Sequence, residues 1–344
     1  MGLRDEILEQ PAAARRLLDE GREPIARIAA AIADRHVDNV VIAARGTSDH
    51  AAIYAQYAFG AAQRWPVALA TPSLISVYGI EPRFDRSLVI GISQSGQSPD
   101  VIGVVAAARR QGAPTVAITN TPGSPLAEAA EHEIELRAGP EHAVAATKTY
   151  TAELLTIALL SAALARDDPA IAALHAIPDA IEAALAIEAD VERAAAARSG
   201  VAGCVVLGRG FEYATAREWA LKLKELARLL ADPYSSADFQ HGPLALLDAG
   251  FQVLAVAPSG PPAADLVELL ARLRDEFRVD LVVISDRTDA LALGTGLRLP
   301  AGVPDRLMPV VSIVPAQLFA YHLARARGLD PDAPRNIRKV TRTR

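Results

Sequence analysis

The stretch Leu88-Val89-Ile90-Gly91-Ile92-Ser93-Gln94-Ser95-Gly96-Gln97-Ser98-Pro99-Asp100-Val101 decides how the chain is read. Its first five residues form a short apolar, β-branched run of the kind that makes a buried strand. They pass straight into small polar residues and then into a proline-led helix start. A strand that runs through a glycine-containing loop into a helix is the building unit of a parallel α/β sheet. Backbone N–H groups at such a helix start, beside the hydroxyls of Ser93, Ser95 and Ser98, suit an anion such as a phosphate. Gly96 allows the backbone to approach a ligand closely. Capping is the plainer account of Ser98-Pro99, with serine at the N-cap and proline at the first helical position. It leaves the other small polar residues unexplained, and they lie at a strand's carboxyl end, where open α/β sheets bind ligands.

Working outward, Val40-Val41-Ile42-Ala43-Ala44, Val67-Ala68-Leu69-Ala70 and Thr115-Val116-Ala117-Ile118-Thr119 read as further strands, with long alanine-rich helical stretches among them. Residues 147–165 and 169–198 are strongly helical and carry no strand signal. The alternation resumes with Cys204-Val205-Val206-Leu207, Val253-Leu254-Ala255-Val256-Ala257 and Leu281-Val282-Val283-Ile284-Ser285. The second half therefore reads as a diverged duplicate of the first. A last helix, about Val311 to Arg327, stops at Gly328-Leu329-Asp330-Pro331. The expected fold class is α/β: two halves, each a parallel sheet flanked by helices in a flavodoxin-like or Rossmann-like three-layer sandwich. The expected segments are a helical N-terminus (1–30), a first α/β domain (31–166), linker helices (167–198), a second α/β domain (199–328) and a tail (329–344).

Composition agrees and excludes several functions. The 344 residues are long enough for two ordinary domains. They are 51% hydrophobic but only 5% aromatic, which fits helices packed on sheets. A net charge of −6, with a basic run only from Arg335 to Arg344, gives little footprint for nucleic acid or an anionic membrane. The single cysteine, Cys204, can form neither an intrachain disulfide nor a cysteine metal cage, and fits a reducing, cytoplasmic location. The N-terminus lacks a signal peptide's apolar core, and no apolar run reads as long enough to span a bilayer.

Ala44-Arg45-Gly46-Thr47-Ser48-Asp49-His50 ends the first strand in a loop of the same build, although a hydroxyl N-cap produces the same pattern and His50 suits a helix face as well as a ligand. The Gly-Lys-Ser/Thr ending of nucleotide hydrolases is absent, and Gly208-Arg209-Gly210 lacks the third glycine of a dinucleotide site. Glu218, Lys222 and Glu225 share one helical stripe at i, i+4 and i+7. Periodicity alone favours an ordinary solvated ion pair there, worth ~0.2–0.5 kcal/mol. His241, before Gly242-Pro243, suits a proton shuttle or an exposed surface histidine equally.

Together these residues resemble the sugar isomerase (SIS) family, and within it the isomerase half of the glutamine:fructose-6-phosphate aminotransferases. The resemblance is carried, in order, by Glu6-Ile7-Leu8-Glu9-Gln10-Pro11, Gly46-Thr47-Ser48, Ile92-Ser93-Gln94-Ser95-Gly96, Ala138-Gly139-Pro140-Glu141, Ala146-Thr147-Lys148, Ala220-Leu221-Lys222-Leu223-Lys224-Glu225, His241-Gly242-Pro243-Leu244-Ala245 and Pro334-Arg335-Asn336. It implies two SIS domains. It also implies that Ser93, Gln94, Ser95 and Ser98 bind a sugar phosphate, and that Thr47, Ser48 and Val144 line the sugar pocket. Glu225 would be the base that moves a proton between C1 and C2, with Glu218 and Lys222 supporting it. His241 would serve ring opening in the neighbouring subunit's site, which makes the expected state a homodimer with shared active sites. Lys339 would engage the open-chain carbonyl.

Departures from the aminotransferase pattern shift the expected reaction. Gly2, not a cysteine nucleophile, follows Met1, so a glutaminase domain is not expected and glutamine is not the expected donor. Ala146 stands where those enzymes have serine. The tail, and Arg45 and Asp49-His50 in the first loop, resemble stand-alone glucosamine-6-phosphate deaminases of the family. The expectation is a deaminase/isomerase that turns glucosamine 6-phosphate into fructose 6-phosphate and ammonia, with no metal or other cofactor. The alternatives are a fructosamine-6-phosphate deglycase, an ammonia-dependent synthase and a non-catalytic sugar-phosphate sensor.

Overall fold

The computed structural model describes residues 2–339; the end of the basic tail, 340–344, lies outside the described residues. The chain divides into two compact units, each built on one sheet. The first comprises 12–141, 148–175 and, among the described residues, 338–339; the second comprises 2–11, 142–147 and 176–337.

In chain order the elements are α1 (Leu3–Leu8), α2 (Gln10–Ala33), β1 (Asn39–Ala43), α3 (Thr47–Gln63), β2 (Val67–Leu69), α4 (Pro72–Ser76), β3 (Ser87–Ile92), α5 (Pro99–Arg110), β4 (Thr115–Thr119), α6 (Pro125–Ala129), β5 (His132–Glu135), α7 (Lys148–Ala165) and α8 (Asp168–Leu174). They continue as α9 (Ile177–Leu185), α10 (Glu188–Ala196), β6 (Gly203–Gly208), α11 (Glu212–Ala227), β7 (Leu230–Ser235), α12 (Ser236–Phe239), β8 (Gln252–Val256), α13 (Ala263–Asp275), β9 (Asp280–Ser285), α14 (Thr288–Leu291), β10 (Thr295–Arg298) and α15 (Met308–Ala326).

The first sheet has the order β2-β1-β3-β4-β5 and all its pairings are parallel. The second, β10-β9-β8-β6-β7, repeats that order when read from its other edge, again all parallel. Helices flank both sheets, so the expected pair of three-layer α/β halves, the second duplicating the order of the first, is present. In this order the crevice between the first and third strands is the switch point, where ligands bind at the strands' carboxyl ends. The β1 and β3 loops both open there.

Central strands are buried along their whole length in β3, β4 and β8 because helices cover both faces. In the first unit Val101, Val104 and Val105 of α5 and Leu126 of α6 pack on Val89 and Ala117. In the second, Leu266, Leu269, Leu270 and Leu273 form one stripe of α13 against Val205, Val253, Leu281 and Val283. Each such leucine contributes about 1.5–3 kcal/mol by leaving water. On α11 and α15 Trp219 meets Phe319 edge-on, with centroids 5.4 Å apart.

Three strands, β5, β7 and β10, were not expected from the sequence. All are edge strands, and they read His-Glu-Ile-Glu, Leu-Ala-Asp-Pro-Tyr-Ser and Thr-Gly-Leu-Arg. An edge tolerates charge, glycine and proline because one side needs no ladder partner, so the apolar signal disappears. The membrane expectation also needs correcting. The helical stretch Asp305–Ala326 is long and apolar enough to cross a bilayer, but 89% of its apolar window is buried within the protein, as in a core helix.

Candidate active site

The loop after β3 is fixed from behind. The Ser93 N–H donates to the Ile118 carbonyl (3.1 Å), the Gln94 carbonyl accepts from Asn120 N–H (3.0 Å), and the Gly96 carbonyl accepts from Leu126 N–H (3.1 Å). The turn requires glycine at 96. Its φ is +62°, and an added Cβ would lie 2.0 Å from the Ser124 hydroxyl oxygen. Ser98 is the N-cap residue of α5 and Pro99 opens the helix, yet the Ser98 side chain makes no capping hydrogen bond. Capping therefore does not account for its hydroxyl. Asp100 serves the helix start instead: its buried carboxylate accepts from Val101 N–H (2.9 Å) and from Arg45 Nε (2.6 Å). That ion pair ties the β1 loop to the β3 loop.

In the β1 loop Gly46 takes φ +55° and α3 starts at Thr47. Ser48 donates its hydroxyl to Glu153 Oε1 at 2.7 Å, and both residues are buried. The hydroxyl is thus held by a carboxylate rather than presented openly to a sugar. His50 lies on α3 and is buried. Lys339 belongs to the same unit, with Nζ 2.7 Å from Glu141 Oε2. Glu141 also accepts from Thr149 N–H (3.2 Å) and Oγ1 (2.8 Å), so the tail lysine is held by a carboxylate that is itself fixed.

The α11 stripe differs from the solvated ion pair that periodicity favoured. Glu218 and Lys222 have side chains 0% and 1% exposed, and Glu225 is 22% exposed. Lys222 Nζ lies 3.2 Å from Glu218 Oε1 and 2.6 Å from Glu225 Oε2. Burial by itself would drive the Lys222 ammonium down. The two carboxylates outweigh it and hold the ammonium above the ordinary lysine range. Sequence could not show this, because i, i+4 spacing is the same on a buried helix face as on a solvated one. Glu225, the most accessible of the three, lines a cavity of about 280 Å³ with Lys224, Arg228, Arg335, Asn336 and Ile337. A carboxylate fixed by a buried cation at the edge of a cavity can take and return a proton.

His241 is exposed, follows α12, and its N–H donates to the Asp238 carbonyl at 3.0 Å. It is not among the residues lining the Glu225 cavity. Val144 is half-buried in the segment 142–147. The structure thus gathers Thr47, Ser48, Ser93, Gln94, Ser95, Ser98 and Lys339 in the first unit, and Val144, Glu218, Lys222, Glu225 and His241 in the second. Arg45, Asp100, Glu141 and Glu153 were given no role by sequence reasoning. Glu141 stands inside a quoted motif, and Arg45 and Asp100 each flank a loop that was singled out. Among the described residues no group of three or more His, Cys, Asp or Glu is placed to hold a metal ion.

Comparison with known proteins bears on the family and the fold. The SIS domain family matches residues 34–163 and 204–327, the stretches that carry the sheets. Glutamine--fructose-6-phosphate aminotransferase [isomerizing] of Methanothermobacter thermautotrophicus is 37% identical over 340 residues, covering 97% of this chain and 56% of that protein. The chain thus spans little more than half the length of this curated relative. A crystal structure provisionally assigned as a phosphosugar isomerase from Silicibacter pomeroyi DSS-3 is 36% identical, with TM-score 0.85 over 96% of this chain and all of that one. The C-terminal domain of glucosamine-fructose-6-phosphate aminotransferase from Francisella tularensis has TM-score 0.85 at 28% identity, over 96% and 98% of the two chains. With two matched stretches that coincide with its two sheets, the chain belongs to the SIS domain family.

Proposed function

We propose that this chain is an aminosugar-phosphate deaminase of the ketol-isomerase type, which converts glucosamine 6-phosphate and water into fructose 6-phosphate and ammonia. The observation that carries the reading is Glu225, half-buried beside a cavity and held by the buried Lys222, which also pairs with the buried Glu218, an arrangement that suits a fixed base. In the first unit Ser93, Gln94, Ser95 and Ser98 hold the phosphate and Thr47 and Ser48 contact the sugar; in the second, Val144 contacts the sugar. His241 opens the ring, acting on the site of a neighbouring subunit in a homodimer, and Lys339 engages the aldehyde. Glu225 removes the C2 proton to give an enolamine and returns a proton to C1, which leaves the ketose imine. Water adds to the imine carbon and ammonia leaves.

The test is ammonia release from glucosamine 6-phosphate. Activity that falls by about 10²–10⁴-fold in Glu225→Gln, with unchanged melting, is expected. No release from that substrate, with cleavage of a fructosamine 6-phosphate instead, would replace the deaminase by a deglycase. One observation favours that second reading: Lys224, Arg228 and Arg335 line the cavity beside Glu225, where a carboxylate carried on the substrate's amine would be welcome. Formation of glucosamine 6-phosphate from fructose 6-phosphate and ammonia alone would favour the synthase. Tight binding without turnover of any of these would leave a sensor.

A further inference from the structure

The short helix α1 has an acid on its buried face. Leu3, Glu6 and Ile7 are all 0% exposed, which places a carboxyl group among apolar neighbours where it must find donors. It finds them in one peptide segment: the N–H groups of His142 and Ala143 both donate to Glu6, the second at 3.2 Å. The far end of that segment is held through Gln10, the first residue of α2. Gln10 Nε2 donates to Gln317 Oε1 (2.9 Å), and Gln317 Nε2 donates to the Thr147 carbonyl (3.3 Å). Between these anchors Ala143, Ala145 and Thr147 are buried, while Val144 and Ala146 are half-buried.

The helix is itself anchored. Arg4 makes a two-pronged pair with Glu188 (2.7 Å at both contacts), His322 Nε2 lies 2.9 Å from the same carboxylate, and Leu3 N–H donates to Asp332 Oδ1 at 2.6 Å. All of these residues belong to the second unit. An alternating segment tied at both ends has one register. A slip of one residue would exchange the buried alanines for Val144 and Ala146.

We infer that Glu6 is a positioning residue for substrate: it fixes the register of 142–147, so that Val144 and not Ala143 faces the sugar. This rests on the proposed role of Val144 in the sugar pocket. Glu6→Gln keeps one acceptor but turns an amino group toward the other amide, leaving a buried donor unpaired. Gln10→Leu loosens the far end with Glu6 intact, so the inference does not hang on one variant folding.

The experiment combines amide hydrogen exchange with calorimetric titration of fructose 6-phosphate and of inorganic phosphate. In both variants the amides of 142–147 should exchange about tenfold faster, and fructose 6-phosphate should bind about tenfold more weakly, with inorganic phosphate affinity unchanged. Unchanged exchange in 142–147, or equal loss of both affinities, would overturn the inference. A wild-type protein that binds phosphate without preferring fructose 6-phosphate would remove the sugar-pocket reading instead, and the exchange rates would still decide whether Glu6 fixes the segment.

Discussion

The buried Lys222 Nζ lies 2.6 Å from Glu225 Oε2, and the same ammonium reaches the buried Glu218 Oε1 at 3.2 Å. Two carboxylates thus share one buried cation, and the outer one borders a cavity. Removing the cation takes its ion-pair partner from the buried Glu218 carboxylate, which typically costs about 3–5 kcal/mol. Lys222→Met should therefore lower unfolding free energy by that order in urea titrations, and also abolish turnover. Adding Glu218→Gln should recover part of the stability but not the activity. Full recovery of activity in the double variant would show that Lys222 matters only for folding.

Lys339 should give a milder structural signature. Its side chain is 24% exposed and its ammonium lies 2.7 Å from the buried Glu141 carboxylate, which keeps both Thr149 contacts when the lysine is removed. Lys339→Met should cost less stability than Lys222→Met, on the order of 1–3 kcal/mol, because the buried Glu141 carboxylate loses one donor but keeps the others. It should still reduce ammonia release by about 10²-fold or more if the amine engages the open-chain carbonyl. Unchanged turnover would remove Lys339 from the chemistry.

Gly96 links the loop's shape to its proposed ligand. Gly96→Ala must bear a left-handed backbone, at about 1–2 kcal/mol, and must also displace Ser124, whose hydroxyl accepts the Ala127 N–H at the start of α6. Inorganic phosphate affinity should fall at least about tenfold by calorimetry. Ser124→Gly in the same background removes the collision but not the backbone cost, so affinity should return only in part. Full return would mean that the collision alone mattered.

How much of this was legible depended on where burial comes from. Ser93 to Ser98 could be read because a strand, its loop and its helix are consecutive, and local order specifies the anion-ready turn. The loop's inner bracing by Asn120, Leu126 and Ser124 could not, since those partners follow a later strand. The α11 stripe was misread by its own periodicity: i, i+4 charge pairs look alike whether water or the protein interior surrounds them, and here Glu218 and Lys222 are buried. The Glu6 clamp was hidden for the same reason, since an acid in a six-residue helix reads as solvated until His142 and Ala143 arrive. Edge strands β5, β7 and β10 escaped because edge positions impose little apolar pattern.

Glu212 opens a pH-dependent prediction away from the proposed chemistry. It stands at the start of α11, is 3% exposed, and accepts from the Ser312 hydroxyl at 2.7 Å. Burial pushes its carboxyl up from 4.5 to about 7, against the contacts from Thr215 and Ser312 that pull it down. Between those values the folded chain keeps a proton that the unfolded chain has lost. For this group stability is therefore complete below 4.5, falls as pH rises through about 7, and is level above. The loss amounts to about 3 kcal/mol. Glu212→Gln cannot titrate, so its unfolding free energy relative to wild type should rise by that order between about pH 5 and pH 8 in urea titrations. A difference that stays constant over this range would show that Glu212 is ionised in the folded protein throughout.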